Sequence, residues 1–510
     1  MITGKVDQPP GAMDVQPYPT EEDPAVWDSL TRWLPDWLVL RIPRYNLPAP
    51  LALAIIAAAL LGAIMAPRLA MNGRTGMMLP AAILGVAALV IVAKWRILGL
   101  MALPIVSLMV PLAIGTGSKT GINAAVLWLG LLLGLWILDM LARERQIRLL
   151  AYRPVIASLI FGVVVVVAFG FGQLPWFATR SATLSAQIGG LLIFLMSIGA
   201  FLLVAHQIQT ITTLKWMTWV FLGLGFVFFV FRLFPSTYWI MARLFVRQAV
   251  LGATFYAWLV AIAASQALFN PKLARGWRIV LGILVLMFFY VTLKGEDRYW
   301  VSGWLPPLLA LVTVILLGRP GWGVFAVILG GLIMVFNTSL ITGVFNEGDN
   351  TYSTITRLEA WRIMVEIIKV NPVFGLGMAN YYFYTPLFPI LGYKINFNSH
   401  NNYIDIIAQT GLVGLLCFLW VLGELWLLGW RMRDQVPEGF PRAYVLGALG
   451  GLVGTLALAA LGDWVIPFVY NIGMDGFRSS MFAFIFLGGL VALARIYHIS
   501  PGRSIEAAPK

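Results

Sequence analysis

Three histidines occur in the 510-residue chain, His206, His400 and His498. Only His400 has neighbours suited to chemistry: it stands in Asn398-Ser399-His400-Asn401-Asn402-Tyr403, a polar stretch directly ahead of a long apolar run. Asn and Ser are favoured helix caps, so the spacing predicts His400 in the first turn of a helix. The positive end of that helix, and any arginine nearby, disfavours imidazolium. A neutral imidazole near pH 7 is what a general base requires. The plainer alternative is a histidine that only caps or hydrogen-bonds.

Once the apolar runs are read as membrane spans, Arg298 and Arg357 fall in the same compartment as His400. Arg298 lies in Lys294-Gly295-Glu296-Asp297-Arg298-Tyr299-Trp300, a tight turn between two spans. Arg357 lies in the first turn of a helical segment, Thr354 to Val370. Arginine forks bind phosphate oxygens in a bidentate way and stay charged. Each arginine also has a structural reading, Arg298 beside Glu296 and Asp297, Arg357 beside Glu359 or a lipid surface. Arg232, Arg243, Arg247 and Arg478 read as a basic vestibule or as head-group contacts, the second being preferred. Gly375-Leu376-Gly377 reads as a turn, because no βαβ unit surrounds it. No set of acids and histidines has metal-ligand spacing, and neither a metal nor another cofactor is expected.

The elements that must position these residues are membrane helices. Charged residues make up 11% of the chain and hydrophobic ones 60%, whereas soluble domains carry about 25% charged residues. Runs of the roughly 17–25 apolar residues that a span needs occur at about 48–66, 77–93, 97–115, 123–141, 154–172, 187–205, 216–231, 249–269, 279–293, 300–317, 322–337, 403–430, 443–466 and 476–496. The expectation is an all-α polytopic membrane protein with about 14 transmembrane helices (12–14). The lone Cys417 excludes intrachain disulfides. The net charge of +13 is accounted for by the positive-inside rule and by anionic membrane lipids. No basic run interleaved with aromatics points to nucleic acid.

Residues 1–45 are polar and Pro-rich and read as a cytoplasmic, largely disordered tail without a cleavable signal, with Trp27 to Leu40 lying at the membrane interface. Residues 46–497 form the membrane domain, and 498–510 a second cytoplasmic tail. The basic groups Arg143, Arg145, Arg148 and Arg153, then Lys272, Arg275 and Arg278, then Arg431, Arg433 and Arg442 fall on one side, which places both termini inside. His206 and His498 then lie inside, and the long connection 338–402 lies outside. Loops of that length are usually functional. In its helix, Ile355, Leu358, Trp361, Val365 and Ile368 recur at steps of three or four with Met364 beside them, predicting an apolar stripe that ends at Asn371-Pro372. Tyr381, Tyr382, Phe383 and Tyr384 read as an interfacial aromatic segment or a sugar site, the first being preferred.

From Arg357 to Leu416 the sequence resembles the O-antigen ligase and polymerase superfamily. Four pieces carry the resemblance: Arg357 with Trp361; Asn371-Pro372-Val373-Phe374-Gly375-Leu376-Gly377-Met378-Ala379-Asn380; His400-Asn401-Asn402-Tyr403; and Gly411-Leu412-Val413-Gly414-Leu415. The resemblance implies a many-helix, GT-C-like glycosyltransferase of the bacterial plasma membrane. Such an enzyme takes a glycan from undecaprenyl pyrophosphate and passes it to a hydroxyl of a glycan, lipid or protein acceptor, in lipopolysaccharide or other cell-surface polysaccharide biosynthesis. It implies that Arg357 holds the pyrophosphate and that His400 activates or positions the acceptor hydroxyl, with Trp361, Asn401 and Tyr403 in support. Arg298 falls where the family has Ser-Arg-Gly, but the turn here reads Asp297-Arg298-Tyr299. Direct displacement implies inversion at the anomeric carbon, with arginines in place of a metal.

Ligase and polymerase differ in the acceptor, and the ligase is the preferred reading. A peptidoglycan-type polymerase would lean on a loop carboxylate such as Glu359 or Asp349, which fits the histidine context less well. A transporter or flippase for a lipid-linked sugar would need ionisable residues at mid-membrane depth. The few within spans, Asp139, Asp405, Glu424 and Asp463, stand mostly near span ends.

Overall fold

The computed structural model describes residues 41–42, 45–46, 96–115, 121–336 and 349–500. The expected spans 48–66 and 77–93, most of the N-terminal tail and residues 501–510 lie outside the described residues. The chain divides into two units, Met1–Ala57 and Ala58–Lys510. Of the first, only a short antiparallel pair is described, β1 (Arg41–Ile42) with β2 (Tyr45–Asn46).

The second unit is a bundle of helices. In chain order they are α1 (Arg96–Met109), α2 (Ala124–Asp139), α3 (Arg153–Phe171), α4 (Leu184–Gln207), α5 (Ile211–Leu233), two short helices α6 (Tyr238–Leu244) and α7 (Arg247–Val250), then α8 (Ala253–Phe269), α9 (Arg275–Leu293), α10 (Val301–Gly318) and α11 (Pro320–Phe336). There follow α12 (Asp349–Ile368), the one-turn α13 (Tyr381–Tyr384), and then α14 (Asn402–Met432), α15 (Phe440–Leu461) and α16 (Gly473–Ile496). A two-residue ladder, β3 (Ala113–Ile114) with β4 (Ile122–Asn123), joins α1 to α2. Every expected span from 97–115 onward has one of these helices as its counterpart. Among the described residues, nine helices are long and apolar enough to cross a membrane, and α1 and α8 are shorter apolar helices. The protein is an integral multi-pass membrane protein.

Backbone groups in a bilayer must find partners within the protein, and the helix ends show how. Asn123, Thr183, Thr210 and Asn401 each accept a backbone N–H at the start of α2, α4, α5 and α14, as favoured N-cap residues do. The centre is built on α8, buried from Ala253 to Ala267. It packs against α10 and α15, while α16 packs against α4 and α14 against α3.

Arg478 differs from its expected surface role. It is 1% exposed, and its guanidinium donates to the carbonyls of Ser107, Val110 and Leu112 at 3.2, 2.9 and 2.8 Å. It therefore caps the C-terminal end of α1 from within the protein. Arg232 is also taken up internally, pairing with Asp297 at 2.7 Å. Arg243 and Arg247 remain exposed.

Contacts between loops define two ends of the bundle. Asn380 joins the end of α3, through Gly172, to Ala182 just ahead of α4. Asn402 N–H reaches Gly462 O, and Thr254 reaches Trp464 O. At the other end Arg495 donates to His206 O and Ile208 O, and Tyr152 to Ile499 O. Arg153 pairs there with Glu424 at 2.8 Å. His206 is part of that packing: its Nε2 accepts from Leu150 N–H at 2.8 Å and its ring lies 4.8 Å from Trp136.

Candidate active site

The site is organised by a break in α14. Gly411 adopts φ +72° and ψ −178° inside the helix, so the carbonyls of Ala408 and Gln409 lose the partners an unbroken helix supplies. Leu376 N–H and Gly377 N–H take them, at 2.8 and 3.1 Å. In return Leu412 N–H and Val413 N–H donate to Pro372 O and Val373 O, at 2.8 and 3.3 Å. The Asn371–Asn380 segment is thus spliced into the helix, and these four freed groups find partners. The splice demands bare backbone: Gly377 sits at φ +83°, and a Cβ there would collide with Gly172. The glycine pair is a turn, as its spacing suggested, and also a site of backbone crossing.

Just before α14, the chain turns sharply at His400. The N-cap is Asn401, whose side chain accepts from Tyr403 N–H and Ile404 N–H at 3.0 and 3.4 Å. His400 therefore lies ahead of the helix, not in its first turn, because the asparagine beside it takes the cap. Its φ of +49° is left-handed, costly for a residue with a Cβ. The surroundings hold it there. Trp361 Nε1–H donates to Ser399 O at 2.8 Å. Ser399 Oγ accepts from Asn401 N–H at 3.0 Å and donates to Asp405 Oδ1 at 2.7 Å. Tyr381 donates its phenol to the same Asp405 oxygen at 2.5 Å.

His400 and Arg357 line one cavity of about 180 Å³, together with Thr356, Asn398 and the apolar Ile390, Leu391, Tyr393 and Ile395. One wall is a two-residue hairpin in which Ile390 and Tyr393 exchange both backbone bonds, with Leu391 and Gly392 at positive φ. Arg357 Nη1 donates to Leu461 O at 3.5 Å. Burial holds its guanidinium below the usual range, and the Asp463 carboxylate opposes that shift. Burial also lowers the pKa of His400, and the Arg357 charge lowers it further. The imidazole is accordingly neutral at pH 7.

Beneath the cavity lies a buried polar layer. Asp463 accepts from Phe468 N–H at 3.0 Å and from Asn471 at 2.9 Å, and burial raises its carboxyl above the ordinary range. Asn402 Oδ1 accepts from Val465 N–H and Ile466 N–H at 2.9 and 3.2 Å, and its amide donates to Ile466 O at 2.7 Å. The expected span 443–466 therefore ends early, at Leu461. Residues 462–472 form an irregular segment that Asn402 and Asp463 hold in place.

The expected site residues are only partly brought together. Arg357 and His400 share the cavity, and Trp361 and Asn401 hold the turn. Tyr403 points away to Leu456 O, at 2.8 Å. Arg298 lies outside the cavity lining, its guanidinium against the Tyr299 ring with centroid distance 4.7 Å. Asp297, its suggested partner, belongs to Arg232. The neighbouring Trp300 packs on Trp464 at 5.5 Å, so this turn abuts the 462–472 segment. Tyr381 and Tyr384 are not interfacial: they are buried with Ala360, Ile363, Met364 and Ile367 in a core beneath α12.

Sequence reasoning passed over Ser399, Asp405 and Asp463 as site residues, and preferred an interfacial place for Tyr381. Asp405 and Asp463 carried the usable signal, being ionisable residues at the ends of apolar runs. Their meeting in one buried layer depends on a contact between segments some sixty residues apart, and no local pattern reports that.

Residues 241–419 match the family model described as O-Antigen ligase, a range that includes Arg357, the spliced segment, His400 and the break in α14. The chain is similar to the Exopolysaccharide production protein ExoQ of Rhizobium meliloti (strain 1021), at 28% identity over 155 residues. That match covers 28% of this chain and 33% of the relative, so the chain spans about a third of the length of the curated protein it matches. Both matches support a resemblance to the O-antigen ligase and polymerase superfamily.

Proposed function

We propose that the protein transfers a glycan from undecaprenyl pyrophosphate to an acceptor hydroxyl on the extracytoplasmic face of the bacterial inner membrane, in cell-surface polysaccharide biosynthesis. The observation that carries this reading is the pairing of a neutral His400 with the Arg357 guanidinium across one cavity. The acceptor oxygen bonds to the anomeric carbon as that carbon's bond to the pyrophosphate breaks. The hydroxyl proton passes to the His400 imidazole. Negative charge grows on the departing pyrophosphate, where Arg357 stabilises it. Attack from the opposite side inverts the anomeric centre. Arg298, on the adjacent turn, serves as a second phosphate ligand once a donor longer than the cavity is bound.

Sidedness is supported by the basic groups that were read as inside markers. Arg153 pairs with Glu424 and Arg278 donates to Ala267 O, at the end opposite His400. The transporter reading loses ground for a related reason. Asp405 and Asp463 belong to the site, and Glu424 is taken up by Arg153 from the start of α3, so these acids do not line a shared pathway.

The ligase is the first reading of the acceptor. The similarity to an exopolysaccharide production protein favours a polymerase as the second, with a growing glycan as acceptor. The test is His400→Ala in proteoliposomes supplied with a glycan on undecaprenyl pyrophosphate. A folded variant that loses transfer supports the reading, and acceptor swaps then separate ligase from polymerase. A parent protein that moves the lipid-linked glycan across the bilayer without cleaving it from its carrier refutes the reading.

A further inference from the structure

The apolar stripe expected on α12 is present, but it is not the stripe the protein buries. At about 100° per residue, Ala360, Ile363, Met364 and Ile367 share one arc of the helix, and these are the buried residues. Leu358 and Val365 share a second arc and are 57% and 51% exposed, with the half-buried Trp361 and Ile368 beside them. A third arc carries Glu359, Arg362 and Glu366, with the exposed Ile355 among them. There Arg362 pairs with Glu359 at 2.7 Å, and Lys369 pairs with Glu366 at 2.7 Å. A helix with one arc for protein, one apolar and bare, and one of self-neutralised ion pairs matches a boundary between protein, hydrocarbon and water.

The depth of α12 follows from its two anchors. Beyond its C-terminal end, Pro372 and Val373 bond the first residues of α14 past the break. The remainder of α14, Leu412–Met432, rises about 30 Å at ~1.5 Å per residue, one hydrocarbon thickness. Nearer its N-terminal end, Arg357 bonds Leu461 O at the end of α15, a 22-residue helix of about the same length. Both anchors thus stand one bilayer core away from the far ends of their helices, so α12 runs along the membrane surface. Val373 is exposed beside the exposed Leu412, and Leu416 continues the same face one turn deeper. The bare arc of α12 is therefore continuous with the lipid-facing side of α14.

We propose that α12 is an interfacial helix whose Leu358–Val365 arc lies among the acyl chains of the leaflet on the His400 side. Arg357 occupies the seam between the protein-facing and lipid-facing arcs. The proposal rests on the membrane spans and not on the transfer reaction.

Cys417 is the only cysteine, so a Cys417→Ala background allows single nitroxide labels on the full chain. Labels at Leu358→Cys, Val365→Cys and Arg362→Cys, with Leu416→Cys as the lipid-facing reference, are read by power saturation in phosphatidylcholine–phosphatidylglycerol liposomes. Labels at 358 and 365 should favour oxygen over a water-soluble nickel chelate, as 416 does, and the label at 362 should show the reverse. Equal nickel accessibility at 358, 365 and 362 would overturn the proposal, since the arc would then face water. Protection of 358 and 365 from both relaxants would also overturn it, since protein would then cover the arc. Melting curves for each labelled chain separate these outcomes from misfolding. Loss of the transfer reading would leave the depth measurement unaffected.

Discussion

Asp405→Ala is the sharpest test of how His400 is held. The carboxylate accepts from Tyr381 and Ser399 at 2.5 and 2.7 Å, and its second oxygen is buried without a partner. Removing it strands two hydroxyls, each costing about 1–3 kcal/mol when buried and unpaired. Ser399 has a second acceptor in Asn401 O at 2.9 Å, so the Tyr381 phenol carries most of the loss. The expected destabilisation is about 2–4 kcal/mol. The catalytic effect arises separately. The left-handed backbone at His400 costs about 1–2 kcal/mol, and without the Ser399–Asp405 bond the turn relaxes toward right-handed conformers. A shift of that size depopulates the reactive geometry by about 5–30-fold. The turnover number should fall by that factor in a proteoliposome transfer assay, with KM changing less. Asp405→Asn keeps the accepting oxygen, so it should transfer near the parental rate. Parental turnover in Asp405→Ala would refute the reasoning, and an equally damaged Asp405→Asn would show that charge, not acceptance, is what matters.

Four further outcomes follow from the same geometry. Burial and the Arg357 charge place the His400 pKa below 6.5, so the neutral imidazole predominates above that pH. kcat/KM should therefore be flat from pH 8 to pH 6.5 and fall about tenfold per unit below the lowered pKa. Arg357→Gln removes one of the two causes, so the acid limb of its pH–rate profile should move up toward 6.5. Arg357→Lys keeps a charge but loses the fork, and transfer measured at saturating donor should drop by about 10²–10³-fold. Arg478→Met strands the carbonyls of Ser107, Val110 and Leu112. It should destabilise the protein by about 3–5 kcal/mol in denaturation assays, while the folded fraction keeps its activity.

The helices themselves were legible from the chain alone. Apolar runs of span length have few alternatives in a bilayer, because unpaired backbone is so costly there. That is why each expected span from 97–115 onward meets a helix within a few residues. Arg357 and His400 were legible by residue type and by resemblance, since a phosphate ligand and a neutral base admit few side chains. Three features required tertiary structure. The apolar stripe on α12 could be read, but periodicity does not say which partner covers it, and the protein buries Ile363 and Ile367 rather than Leu358 and Val365. Arg478 looked like a head-group arginine until the end of α1 was seen to need its donors. The network under His400 joins Tyr381 and Ser399 to Asp405, with Asp463 in the same buried layer. These groups meet because Gly411 breaks α14, and the splice draws the connection before it against 462–472. Span formation is a local bargain between chain and lipid, whereas the active geometry at His400 comes from hydrogen bonds between segments that only the folded bundle brings within reach.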